Sequence, residues 1–127
     1  MSVSDEELYL LACIIDWEAN GESYEGKLAV ANVVLNRVRS SAYPNSISGV
    51  IYQRSQFSGV SDGAGSPSAK FQSRINSGLR SQQCMDAAVE ALSGHNNIGG
   101  YTSFRMISVA NISSMSSYVI IGNHVFH

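Results

Sequence analysis

The segment "SDEELYLLACIIDWEANGESYEGKLAVANVVLNRVR", residues 4–39, constrains the fold more than any other part of the chain. It reads as two apolar helices separated by an Asn-Gly break. Ser4 and Glu7 form a capping box at the start of the first helix, predicted over Asp5–Ala19, and Asn20-Gly21 supplies its C-cap. At 100° per residue, Ile14, Glu18, Leu11 and Ile15 share one arc. Trp17, Leu10 and Cys13 extend the apolar surface, while Asp5 and Asp16 share a narrow polar edge. Such a helix is largely buried, and Glu18 lies inside its apolar arc at the helix end.

Ser23 opens the second helix, which runs to about Arg39 with Leu28, Ala31, Val34, Leu35 and Val38 at core spacing. "SSAYPNS" breaks it, and Ser46 caps a short helix near Ile47–Tyr52. "QRSQFSGVSDGAGSP" is turn-rich, with brief alternation that predicts a small irregular hairpin. Ser66-Pro67 is placed to start a further helix. Ser81 opens another, with Met85, Ala88, Val89 and Leu92 inward and Gly94 ending it. "GGYTSFR" reads as a strand. "YVIIGNHVFH" reads as two strands around a Gly-Asn turn, with Asn123 and His124 at the apex. The expected fold class is α+β: one mostly helical domain over residues 1–127 with a small β portion, divided by no repeat or linker.

Only 14% of the residues are charged against 44% hydrophobic, which excludes a disordered chain. A net charge of −2 argues against nucleic acid as the main partner, because phosphate binding needs clustered Lys and Arg. No run of about 18 apolar residues predicts a membrane span. The N-terminus lacks the basic and apolar regions of a signal peptide, so Met1 is compatible with the start of an excised domain whose export signal and anchoring modules lie elsewhere. Cys13 and Cys84 form no CxxC motif or disulfide framework and read as two buried thiols, the alternative being a single bridge in an oxidising compartment.

A carboxylate on a buried face is costly unless paired or protonated. Burial raises its pKa and makes it a proton donor near neutral pH, so Glu18 is the candidate general acid. The competing readings are a salt bridge to Arg37 or Arg39, or a side chain turned to solvent. Ordinary glycoside hydrolysis uses two carboxylates, and Glu22 or Asp62 could supply the second. Against this, Glu22 suits the first turn of the second helix, and Asp62 in "SDG" suits a plain turn. There is no HExxH, Walker loop, GxSxG or GxGxxG pattern. His95, His124 and His127 with Cys84 match no zinc-ligand spacing, so no metal site is predicted.

"WEANGESYEGKLAVANVVLNRVRSSAYPNSISGVIYQRSQFSGVSDG", with the terminal "IGNHVFH", resembles the SleB/CwlJ-type spore-cortex-lytic cell-wall hydrolases. The likeness runs from about Glu7 to His127. It implies a lysozyme-like fold and lytic transglycosylase action on peptidoglycan glycan strands, in the cell wall, spore cortex or outside the cell. The first Glu of E-A-x-G-E, here Glu18, is implied to be catalytic, and no cofactor is implied. Glu22, Gln56, Phe57, Ser58, Asn123 and His124 are carried over as substrate-cleft residues. Two departures stand out. Cys13 occupies a position where the pattern has a basic residue. "RMISVANISSMSSY" lacks the Asn-Pro and Trp features of many members, so the resemblance assigns no subsites on that side.

Overall fold

The computed structural model describes residues 2–127. Its helices are α1 (Asp5–Ala19), α2 (Tyr24–Arg39), α3 (Ile47–Ile51), α4 (Ala69–Ser77) and α5 (Gln82–Leu92). Three short strands follow, β1 (Phe104–Met106), β2 (Val119–Ile121) and β3 (His124–Phe126), with two 3-10 turns, Ile107–Val109 and Ile112–Ser114, between β1 and β2. This is the mostly helical α+β fold predicted. Serines cap all five helices: Ser4, Ser23, Ser46, Ser68 and Ser81 each accept from a backbone N–H of the first turn.

The core lies where α1, α2 and α5 pack together, with Leu11, Ile14, Ile15, Leu28, Val30 and Leu35 fully buried. Here the helix-face expectations need two corrections. Asp16 is fully buried, not on a polar edge, because α1 is enclosed on every side from Leu11 to Asp16. Its carboxylate accepts from Arg80 N (2.8 Å) and Nε (2.5 Å), and its carbonyl from Arg80 Nη2 (2.8 Å). In α5 the buried face is Cys84, Ala87, Ala88 and Ala91, while Val89 is half exposed. Small side chains let α5 approach α1 and α2 closely, and that contact sets the helix phase.

The turn-rich segment forms no hairpin strands; a single antiparallel bridge joins Ser61 to Pro67. Glycines at positive φ, Gly59, Gly63 and Gly65, keep curling the chain between those ends. Because Pro67 belongs to that bridge, α4 starts at Ala69, later than its Ser-Pro signal suggested.

The terminal hairpin folds as read, with β3 central in the order β1-β3-β2 and antiparallel to both neighbours. Gly122 at φ +59° lets the strand reverse in two residues. His124, however, belongs to β3 and is only 4% exposed, so it does not stand at the apex.

Cys13 and Cys84 are both buried and free. Burial pushes the Cys13 thiol up to about 11 and also raises that of Cys84. Both thiols should therefore alkylate very slowly in the native protein. Titration in denaturant without reductant is expected to count two free thiols; a count of none would reveal a bridge.

Candidate active site

Two helix ends and one β-turn meet at this site. Glu18 lies in the last turn of α1, and Glu22 follows the Asn20-Gly21 break, just before α2. Lys27 holds that connection together. Its buried ammonium donates to Asn20 O at 3.1 Å and Glu22 O at 2.5 Å, bracketing the short segment between the two glutamates. Sequence reasoning missed this residue. The available signal was a cation near the N-terminal end of a helix, where the macrodipole disfavours one.

Glu18 is half-buried, and burial alone pushes its carboxyl up to about 7 from the ordinary 4.5. No neighbouring cation offsets that cost. Arg37 and Arg39, the pairing partners considered for it, are engaged elsewhere. Arg37 donates from Nε to Thr102 O (2.7 Å) and lies over the rings of Tyr43 and Phe57, at 5.0 and 5.2 Å. Arg39 donates to Asn36 Oδ1 at 3.3 Å. The carboxyl is thus poised to hold a proton near neutral pH and to release it.

Glu22 has the opposite character. Its carboxylate accepts from Asn123 N and Asn123 Nδ2, both at 2.9 Å, which fastens the hairpin turn to the α1–α2 connection. Desolvation pushes this carboxyl up. The two Asn123 donations outweigh that, and with the charges of His124 and Lys27 they hold it below the usual range. A Cβ at Gly122 would lie 2.5 Å from Glu22 Oε1, so only glycine fits beneath this clamp.

His124 faces the same carboxylate from β3, with Nδ1 at 3.8 Å from Glu22 Oε1. That nitrogen is buried without a hydrogen-bond partner. The ring meets Phe104 and Phe126 edge-on, with centroids 5.1 and 6.1 Å away. Burial lowers its pKa, although Glu22 works in the other direction.

The structure therefore brings Glu22, Asn123 and His124 together beside the α1–α2 connection. Gln56, Phe57 and Ser58 form a different wall. Gln56 and Ser58 are exposed, whereas Phe57 is buried beneath them. They line a cavity of about 760 Å³ with Arg54, Asp62 and neighbouring loop residues. Trp17 connects this wall to the end of α1 by donating from Nε1 to Ser58 O at 3.0 Å. Glu18 is not among the cavity's lining residues. The perturbed carboxyl, not the cavity's size, therefore marks the candidate centre. Asp62 accepts from Ala64 N and Ser66 N at 2.7 and 3.1 Å, which makes it the turn residue of the two readings offered above.

Comparison with known proteins adds family evidence to this geometry. Residues 21–127 match the family described as Cell Wall Hydrolase. The matched span begins three residues after Glu18, so it bears on the family and not on that residue's role. A spore cortex-lytic enzyme of Halalkalibacterium halodurans is 33% identical over 126 residues, covering 97% of this chain and 35% of that protein. Another from Bacillus subtilis is 47% identical over 60 residues, covering 47% of this chain and 20% of that protein. The chain thus spans about a third or less of these relatives' length. Among solved structures, the catalytic domain of the germination-specific lytic transglycosylase SleB from Bacillus anthracis superposes with a TM-score of 0.79 at 27% identity. That superposition covers 98% of this chain and 96% of the other.

Proposed function

Since this chain belongs to the cell wall hydrolase family, we propose that it degrades peptidoglycan as a lytic transglycosylase, with Glu18 as its acid and base. The observation that carries this reading is the uneven pair of carboxyls. Glu18 is pushed up to about 7, while Glu22 is held low and occupied by the Asn123 clamp. Only one of the two is free to move protons.

Protonated Glu18 donates to the oxygen linking N-acetylmuramic acid to N-acetylglucosamine, and that bond to C1 breaks. The resulting carboxylate takes the proton of the muramoyl 6-hydroxyl as its oxygen closes onto C1. The products are a 1,6-anhydromuramoyl end and a free N-acetylglucosamine hydroxyl, and Glu18 is protonated again. The nucleophile comes from the substrate, so one carboxyl is sufficient. Gln56, Phe57, Ser58, Asn123 and His124 are proposed to shape or support the cleft, the buried Phe57 and His124 from below. The setting proposed is the cell wall, which the family's description gives, or the spore cortex, which the relatives' names give.

A hydrolytic muramidase is the second reading. Two carboxyls with pKa values driven apart are also the pattern of an acid working with a charged partner, and Glu22 would be that partner. Mass spectrometry of digested sacculi separates these readings, and a third in which the domain is a non-catalytic glycan-binding module whose Glu18 only accepts sugar hydrogen bonds: anhydro ends for the transglycosylase, reducing ends for the hydrolase, intact strands for the module. Glu22→Gln is expected to lower turnover less than Glu18→Gln and to leave the anhydro product unchanged. Equal losses in both variants, with reducing ends from the wild type, would transfer the assignment to the hydrolase.

A further inference from the structure

All ten acidic side chains lie between Asp5 and Glu90, while residues 91–127 contain one cation, Arg105, and no acid. Residues 1–90 therefore stand at −3 (seven cations against ten acids) and residues 91–127 at +1. That region contains a groove of about 590 Å³. Much of its wall comes from "RMISVANISSMSSY", the segment that departs from the family pattern.

Arg105 lines the groove with Tyr101, Asn111, Ser116, Ser117 and His127. No Asp or Glu is among the lining residues, and among the described residues no carboxylate lies within ion-pair distance of Arg105. The residue is exposed, which leaves the N–H donors of its guanidinium open to a ligand. His127 is anchored by a reciprocal backbone pair with Ser103, at 3.0 and 3.1 Å, and its Nε2 is buried without a partner. Strand register places Arg105 beside Val125 and Ile120, on the sheet face opposite Phe104 and His124. The groove is therefore separate from Glu18 and Glu22.

We infer that this groove is a second binding site, which takes a carboxylate carried by the peptidoglycan polymer outside its sugar rings. This rests on the peptidoglycan reading above and names a further feature of the substrate. An unpaired guanidinium among hydroxyl and amide groups can bind a carboxylate through paired N–H donors, and no Asp or Glu side chain lines the groove to compete for them. Two sources offer that chemistry: the stem peptides, and the lactyl acid left on muramic acid once a peptide is removed.

The test reads binding in the inactive Glu18→Gln protein, with and without Arg105→Gln. The ligands are peptide-bearing sacculi, amidase-stripped glycan strands with free lactyl acids, and carboxyl-free N-acetylglucosamine oligomers. Arg105→Gln is expected to weaken binding of at least one charged ligand about fivefold or more at low salt, and the difference should shrink at high salt. Affinity for the oligomers should not change, and Arg105→Lys should recover part of the loss. A loss confined to sacculi assigns the stem peptides, and a loss on the stripped strands assigns the lactyl acid. Unchanged affinity for both charged ligands, or an equal loss on the oligomers, overturns the inference. Because binding is read and not cleavage, this outcome is independent of which product the wild type releases.

Discussion

Glu18→Gln is expected to reduce glycan cleavage by at least about 100-fold while leaving the fold intact, because the amide matches the carboxyl in shape but cannot deliver a proton. The same variant should be more stable than wild type at pH 8. In the folded protein Glu18 holds its proton up to about pH 7, whereas the unfolded chain releases it near the ordinary 4.5. Between those values the folded state binds the extra proton, so stability falls as pH rises through the window. Glutamine removes that loss. After allowance for partial exposure, the gain is about 1–2 kcal/mol at pH 8 and close to nothing at pH 4. Wild-type turnover should decline as pH rises above about 7, as the acid form disappears. Paired thermal melts and sacculus-digestion rates at the two pH values check all of this. More than half of wild-type activity in the variant would remove Glu18 from the mechanism.

His124→Ala is expected to destabilise the protein by about 2–3 kcal/mol, as deletion of a buried ring leaves a cavity between its neighbours. For a chain of this size that is a fall in Tm of about 10 °C. An apex position would have predicted almost no change; the burial against Phe104 and Phe126 reverses that expectation. Turnover measured well below the lowered Tm should still fall about tenfold, equivalent to roughly 1.4 kcal/mol. The proposed route is indirect: without the ring, the Glu22–Asn123 clamp loses its support from β3, and the α1–α2 connection that follows Glu18 loosens. The pH dependence should change as well. His124 is held below its ordinary 6.5, so its contribution to stability is present above that value and lost as pH falls towards the lower folded-state value. The alanine variant should lose this acid-side component. Melts within a few degrees of wild type, together with wild-type turnover, would return His124 to a passive role.

Much of this molecule was legible in the order of its residues. Serine caps, the Asn20-Gly21 break and the Gly122-Asn123 turn are local signals, and each acts within a few residues of itself. Glu18 could be found because a charge within an apolar arc is conspicuous on a single helix. What remained hidden depended on contacts between distant segments. Asp16 belongs to the core because Arg80 reaches it from 64 residues away. Val89 points outward because Ala87, Ala88 and Ala91 give α5 its close approach to α1 and α2. Above all, Glu22 and Asn123 lie 101 residues apart, and neither carries a local sign of the other. The sequence by itself determined the main helices, the terminal hairpin and the place of Glu18 in an apolar arc, since capping, turn geometry and helical periodicity are short-range effects. Tertiary structure alone decided which carboxyl is clamped and which is left desolvated without a partner, since desolvation and hydrogen bonding depend on what the folded chain packs against each group.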